Sequence, residues 1–344
     1  MKIVYTKGHS RHDPAYQIAG FEKSAYPEQP VRIDTIAEAL KGDSFRWQLS
    51  DAYTWGELAS IHADGYLTYL RDAYGRWTAE GYSPDGVVPD TLAPRIKGRQ
   101  TGHILNQAGW YCFDTSTPIV KGTFDAATDA AHAALTGADL LLTGDTVVYV
   151  LCRPPGHHAG ADYCGGFCYL NNAALAVWRL STGASSGVPQ SRAAILDLDY
   201  HHGNGTQDVF YRSSDVLFAS LHADPEFAYP YYWGFADQKG DGRGYGYTLN
   251  IPLPAGTDEP AYMRALDRAL ASVARFDPAF LVVSLGTDTY RLDPLGDFVL
   301  EKETFYRMGR MILALNRPVL VVQEGGYQVE DMGICVSNFL QGLL

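Results

Sequence analysis

The chain has 344 residues, 46% of them hydrophobic and 19% charged, which is the composition of a globular protein with ample core. Its net charge of −12 argues against nucleic acid as the main partner, because phosphate binding requires a basic surface, and is compatible with a cationic substrate. No stretch approaches the ~20 apolar residues of a membrane helix, and the N-terminus lacks an apolar signal segment, so we expect a cytoplasmic protein without membrane contact.

Short apolar runs rich in Val, Ile and Leu alternate with helix-like stretches along the chain. Runs of this kind are typical of parallel strands that are covered on both faces. The pattern predicts an α/β fold over residues 1–344: a single-domain, doubly wound, mostly parallel sheet with helices on both faces. In chain order we predict a strand at 2–5, helices at 32–41, 66–77 and 122–142, a strand at 145–151, a helix at 170–180, strands at 192–199 and 216–222, a helix at 260–276, a strand at 279–286, a helix at 303–316 and a strand at 317–326.

The stretch from about residue 81 to 122 is long and has weak periodicity. Loops of that length are usually functional or form interfaces. We therefore expect this stretch to shape the entrance of a site and an oligomer interface, and the protein to be a homodimer. The five scattered cysteines form neither a disulfide framework nor a zinc knuckle, so we expect structural thiols.

Polar side chains cluster where the predicted strands end. Carboxylates and imidazoles are costly at such places, and ligands of open parallel sheets bind beyond the carboxyl ends of the strands. The sequence therefore predicts a site at this edge of the sheet. The residues concerned are His157, His158, Asp197, Asp199, His201, His202, His222, Asp288, Asp293, Glu324 and Tyr327.

Asp199 and His201 stand two residues apart, so in an extended chain their side chains point to the same side. Asp288, at the end of a later strand, is the best candidate for a third ligand. One imidazole and two carboxylates suit Zn²⁺ with a position left open for water and substrate. Fe²⁺ or Mn²⁺ would also accept this set, so the metal stays open at this point.

The motifs "RPPGHHA", "GGFCYLNNAALA", "ILDLDYHHGNGTQDVFY", "SLGTDTYRLDP" and "EGGY" resemble those of the arginase–deacetylase superfamily, nearly along the whole chain. Among its members the chain looks most like bacterial acetylpolyamine amidohydrolases and histone-deacetylase-like amidohydrolases. The resemblance implies one zinc ion on Asp199, His201 and Asp288, which activates a water to attack an amide carbonyl. Gly203 and Gly286 stand where binuclear relatives carry the aspartates of a second metal.

The resemblance also implies catalytic roles. His157 is oriented by Asp197 and stays cationic, whereas His158, partnered by Asn204, is the general base and then the acid for the leaving amine. Asparagine at 204 is typical of the polyamine branch, although it could also be only a turn residue. Tyr327 donates to the oxyanion, the alternative being a packed surface tyrosine. Phe167 and Tyr229 match the two walls of a substrate tunnel.

Potassium ions are implied by the resemblance as well. One site would use Asp197, Asp199, His201, Ser220 and Leu221, and a second would use Phe210, Ser213, Val216 and Tyr247.

The expected substrate is a small acetylated amine of the acetylputrescine or acetylcadaverine type. The loop at 99–120 nevertheless lacks the glutamates that typical acetylpolyamine enzymes carry there, and Asp114 is its only acid. Asp224 and Glu226 are possible substitutes, and Trp110, Tyr111 and Phe113 suggest an aromatic entrance. A deacetylase of acetyllysine or of other small amides is therefore an alternative, and a catalytically silent binding protein and a ureohydrolase with two manganese ions are alternatives of other classes.

Overall fold

A computed structural model describes residues 1–20, 22–93, 98–183 and 191–344. Eight of its strands form one sheet in the order β4-β1-β5-β10-β9-β6-β7-β8, and every neighbouring pair in it is parallel. A short antiparallel hairpin, β2 with β3, lies outside it. The strands are β1 Lys2–Tyr5, β2 Tyr16–Ala19, β3 Glu22–Ala25, β4 Arg46–Leu49, β5 Val147–Leu151, β6 Ala193–Asp197, β7 Val216–Ala223, β8 Thr248–Leu253, β9 Phe280–Leu285 and β10 Val319–Gln323.

Helices cover both faces of the sheet, which confirms the predicted fold class. One face packs on α1, α8, α9 and α10, and the other on α5 and α6. The α-helices are α1 Val31–Ala39, α2 Trp55–Leu58, α3 Asp64–Ala79, α4 Ile104–Tyr111, α5 Thr123–Leu142, α6 Asn172–Thr182, α7 Asn204–Phe210, α8 Glu259–Phe276, α9 Lys302–Leu313 and α10 Val329–Gly342. None of the described helices has both the length and the apolar content needed to cross a bilayer.

The period of two along each strand divides the core between the two faces. In β6, Leu196 packs on the side of α1, α8, α9 and α10, and Ile195 packs on the side of α5 and α6. In β9, Val283 and Val282 divide in the same way. Because both faces of the sheet are covered, successive residues of the central strands are all buried. These strands are therefore apolar without alternation, which is why their runs were visible in the sequence.

The stretch from 81 to 122 is more ordered than its weak periodicity indicates. It contains α4, whose first turn is capped by the His103 side chain accepting from Leu105 N at 3.2 Å. Val87 and Ile119 also pair across the stretch as an isolated β-bridge. Residues 94–97 of this stretch lie outside the described residues, and its part in an oligomer interface stays a prediction.

Four adjacent central strands, in the order β5, β10, β9 and β6, end at the same edge of the sheet. The segments that follow them carry the tandem histidines, Tyr327, Asp288 and the Asp199–His201 pair, respectively. The sheet topology therefore brings together residues that lie far apart in the chain, as Cys152 and Gln323 illustrate at a separation of 171 positions.

Candidate active site

Asp199, His201 and Asp288 meet beyond the ends of β6 and β9, with their ligand atoms all within 4.8 Å of one another. His201 Nδ1 lies 3.0 Å from Asp288 Oδ2 and 3.4 Å from Asp199 Oδ1. Burial, together with the charge of Asp199, raises the pKa of the Asp288 carboxyl to about 7. Two buried carboxylates this close repel each other, and a divalent cation between them removes that repulsion. The three residues thus fit one metal ion.

Glycine backbone packs directly against these ligands. A Cβ on Gly286 would lie 2.2 Å from Asp199 Oδ2 and 2.6 Å from Asp288 Oδ1. The Gly325 amide also donates to Asp199 Oδ2 at 2.8 Å. A side chain at position 286 would therefore displace the carboxylates of Asp199 and Asp288.

A second group of possible ligand atoms, from His157, Cys168 and Glu324, lies within 4.8 Å beside the first. The Glu324 carboxylate is already satisfied, because it accepts from Gly156 N at 2.7 Å, from His157 N at 3.2 Å and from the Ser284 hydroxyl at 3.1 Å. We therefore assign Glu324 to holding the backbone of the tandem histidines.

The tandem histidines are buried side by side, with ring centroids 4.0 Å apart, and their environments differ. His157 Nδ1 lies 3.1 Å from Asp197 Oδ2. Burial opposes a charge on His157, but the carboxylates of Asp199 and Asp197 outweigh it and raise the pKa of His157 to about 10. Burial and the charges of His157 and His201 lower the pKa of His158 well below its usual value. The pKa values of the two rings are therefore shifted in opposite directions: the neighbouring carboxylates favour the charged form of His157, and burial favours the neutral form of His158.

The tautomer of His158 follows from its partner. Asn204 Oδ1 lies 2.7 Å from His158 Nδ1, and a carbonyl oxygen can only accept. Nδ1 therefore carries the proton, and Nε2 keeps a lone pair. Asn204 is the first residue of α7, and its contact supports orientation of His158 over a simple turn role.

Tyr327 follows β10 on a segment that is fixed by two charged side chains. The buried Asp293 carboxylate accepts from Tyr327 N at 2.6 Å and from Gln328 N at 3.0 Å. The buried Arg32 donates to Gly326 O at 2.6 Å, and its guanidinium lies 5.0 Å from the centre of the Tyr327 ring. Burial, against the opposing charge of Arg32, raises the pKa of Tyr327 well above its usual value, so the hydroxyl keeps its proton as a donor.

A cavity of about 260 Å³ leads to these groups between two aromatic walls, Phe167 and Tyr229. Phe167 meets Tyr327 edge-on at 5.7 Å, and Tyr229 meets His158 edge-on at 5.1 Å. Phe113 stacks on the Tyr229 ring at 5.9 Å. The lining residues are Gln17, Ala19, Ser116, His158, Gly166, Phe167, His201, Tyr229, Tyr231, Leu295 and Tyr327.

A sequence profile described as "Histone deacetylase domain" matches residues 26–343. The chain belongs to the histone deacetylase family. It is therefore a hydrolase that acts on amide bonds, in a family that is typically metal-dependent. Membership agrees with the superfamily that the sequence motifs indicated.

Relatives within the family are similar over the full length. The chain is 42% identical over 348 residues to acetylpolyamine amidohydrolase 1 of Pseudomonas aeruginosa, covering 99% of this chain and 98% of the relative. It is 40% identical over 344 residues to the acetylpolyamine amidohydrolase of Mycoplana ramosa, covering 100% and 99%. The crystal structure of acetylpolyamine aminohydrolase from Burkholderia pseudomallei superposes with a TM-score of 0.94 at 36% identity, covering 99% and 98%.

The residues implied as potassium ligands also lie close together in this deacetylase fold. In the first set, Asp197 and Ser220 are register partners across β6 and β7, and Leu221 follows Ser220. In the second set, Ser213 N donates to Phe210 O at 2.9 Å, Val216 begins β7, and Tyr247 O accepts from Phe218 N at 2.9 Å. Potassium binding itself stays a prediction.

Other residues singled out in the sequence have structural partners. The His202 and His222 rings pack together with their centroids 4.6 Å apart. His202 is hydrogen-bonded to Asn250, and His222 is hydrogen-bonded to Ser220 and to the Gly234 carbonyl. Asp224 accepts from Glu226 N at 3.0 Å within a turn. Tyr111 is buried and stacks on Tyr69 at 5.0 Å. All five cysteines are buried, and none of them forms a disulfide.

Arg32 and the contacts of Asp293 and Asp114 could not be predicted from the sequence. Arg32 stands in an ordinary helix, 294 positions from the carbonyl it binds, so no local signal marks it. Asp114 was identified only as the sole acid of its loop. Its being the single acid in that stretch was the one feature of the sequence that pointed to a specific role for its charge.

Proposed function

We propose that the protein deacetylates acetylated polyamines of the acetylputrescine or acetylcadaverine type, using one zinc ion held by Asp199, His201 and Asp288. The observation that carries this proposal is geometric: two adjacent buried histidines, one paired with Asp197 and the other with Asn204, lie beside three clustered ligands in an aromatic-lined cavity. The full-length similarity to acetylpolyamine amidohydrolases supports the choice of substrate.

When bound at this site, the divalent cation polarises the acetyl carbonyl and lowers the pKa of water. His158 Nε2, with its free lone pair, takes the proton of the attacking water and later gives it to the leaving amine. His157 stays cationic and balances the negative charge that develops beside it. The Tyr327 hydroxyl donates to the oxyanion, as expected of a protonated phenol at the inner end of the cavity.

The narrow cavity between Phe167 and Tyr229 suits a slender aliphatic chain, whose methylene groups pack against both rings. The same walls could hold the acetyllysine side chain, so the second candidate is a deacetylase of acetyllysine or of other small amides. Structural potassium at the two sites described above, a homodimer and a cytoplasmic location belong to the same proposal.

Turnover of N-acetylputrescine, N-acetylcadaverine and an acetyllysine peptide separates the candidates. We expect the acetylated diamines to be hydrolysed faster, and faster hydrolysis of the peptide would favour the second candidate. Metal analysis should find one zinc ion per chain, whereas two manganese ions would indicate a ureohydrolase.

The Tyr327→Phe variant tests the assigned chemistry. We expect kcat to fall about 100-fold to 1,000-fold, the usual effect of removing an oxyanion donor, with the metal content unchanged. If the wild type holds zinc and neither form hydrolyses any acetyl amide, the protein is a binding protein and the proposal fails.

A further inference from the structure

One carboxylate organises one side of the cavity from behind. Asp114 Oδ2 accepts from Gly166 N at 2.7 Å, from the Tyr229 hydroxyl at 2.9 Å and from the Ser116 hydroxyl at 3.0 Å. Its other oxygen, Oδ1, accepts from Ser116 N at 3.1 Å. Gly166, Ser116 and Tyr229 all line the cavity, whereas Asp114 is not among the described lining residues. A single acid thus fixes three separate parts of the channel.

The direction of these hydrogen bonds decides what the channel offers a substrate. A hydroxyl has one proton, and both the Tyr229 and the Ser116 hydroxyls give theirs to Asp114, which as a carboxylate can only accept. Any further bond from these two oxygens must therefore be accepted by their lone pairs. At these two lining residues the cavity consequently presents acceptors, with a negative charge directly behind them.

Asp114 also supports the wall opposite Tyr229. Gly166 and Phe167 are consecutive left-handed residues, with φ of +56° and +66°. This conformation is unfavourable for phenylalanine and requires support from neighbouring groups. The support comes from the loop at 114–117, where Asp114 binds the Gly166 amide and the Thr117 hydroxyl accepts from Phe167 N at 3.0 Å.

No carboxylate lines the cavity in the part of the chain that the structure describes. Recognition of a cationic substrate tail therefore needs another source, and the acceptor pair backed by Asp114 supplies one. An ammonium group has donors and no acceptor, so it matches two lone pairs in front of a negative charge. A methyl group at the same place would leave both oxygens unpaired, which is unfavourable.

We propose that Asp114 is a positioning residue which, through the Tyr229 and Ser116 hydroxyls, makes the channel select acetylated chains that end in a protonated amine. This inference rests on the proposed deacetylase function and names the feature that would give that function its preference for polyamines.

The experiment compares N-acetylputrescine with N-pentylacetamide, in which a methyl group replaces the ammonium group. We expect the wild type to prefer the cationic substrate in kcat/KM. Asp114→Asn keeps the size of the side chain and a carbonyl acceptor for the Gly166 amide, but removes the charge and adds donors. It should lower kcat/KM for N-acetylputrescine about tenfold, mainly through KM, and change the neutral substrate by less than about twofold.

Two further variants make the comparison specific. Tyr229→Phe keeps the aromatic wall and removes one acceptor, so the preference should fall by about threefold, and it decides the question if Asp114→Asn does not fold. Asp267→Asn is the matched control, because Asp267 is an exposed acid on α8, outside the cavity lining. This control should leave kcat/KM unchanged for both substrates.

An equal loss of kcat/KM on both substrates in Asp114→Asn would mean that Asp114 only maintains the local structure. That result would overturn the inference. An unchanged ratio in Asp114→Asn would overturn it as well. In both cases wild-type turnover of N-acetylputrescine leaves the proposed function standing. Failure of the wild type to hydrolyse N-acetylputrescine at all would overturn the inference and the proposed substrate together.

Discussion

Gly286→Ala is the sharpest test of the assigned metal centre. The new Cβ would lie 2.2 Å from Asp199 Oδ2, 2.6 Å from Asp199 Cγ and 2.6 Å from Asp288 Oδ1, where ordinary contacts begin at 3.4 Å. Two of the three ligands must therefore retreat by about 1 Å, whereas metal–ligand distances tolerate only about 0.2 Å. Changes in the groups that merely support ligands typically cost 10-fold to 100-fold in metal affinity. We expect Gly286→Ala to lower the affinity for zinc by at least about 100-fold.

The assay measures zinc per chain by mass spectrometry after dialysis, zinc affinity by competition with a chelator, and kcat/KM on N-acetylputrescine. Gly75→Ala is the matched control, because Gly75 lies in α3 and a Cβ there meets nothing within 4 Å. The control should keep its metal and its activity. If Gly286→Ala retains one zinc ion per chain and wild-type kcat/KM, the assignment of Asp199 and Asp288 as joint ligands is wrong.

Three further outcomes are expected. In Gly203→Ala the Cβ would lie 2.2 Å from Asp197 Oδ2, so kcat should fall at least about tenfold while the zinc content stays at one per chain. Asn204→Asp should shift the acidic limb of the kcat/KM profile to higher pH, because a carboxylate favours protonated His158 and the base acts only when neutral. Arg32→Met should lower the free energy of unfolding by about 3–5 kcal/mol in denaturant titration, because it removes one of the two arginine partners of the buried Glu28 carboxylate and the donor to the Gly326 carbonyl.

The central strands could be predicted from the sequence because burial on both faces makes them uniformly apolar. The edge strands could not. The β4 strand Arg46–Leu49 is mostly exposed, and β8, Thr248–Leu253, contains Asn250 and Pro252, so neither is a continuous apolar run. Helix α10, Val329–Gly342, was missed because its two glycines weaken the helical pattern.

The clustering of the candidate ligands and of the tandem histidines could also be predicted, because these residues follow directly on recognisable strands. The groups that hold them could not, since their contacts depend on how distant segments meet. Asp293 appeared in the sequence as one more polar residue after a strand, and only the fold shows it bound to the Tyr327 amide. The hydrogen bonds around Asp114 likewise join residues 52 and 115 positions apart.

The buried network below the site shows what such support requires. Glu28 accepts from Arg32 at 2.5 Å and from Arg153 at 2.8 Å, and all three side chains are almost completely buried. An ionic group of this kind contributes little net stability, because desolvation offsets the attraction between the charges. It does join three separate segments: the chain before α1, the end of β5 and the carbonyls around Gly326. The tandem histidines follow the second of these segments and Tyr327 the third. The network therefore fixes Tyr327 relative to the tandem histidines, and that alignment is the reason we infer for keeping two buried cations next to one anion.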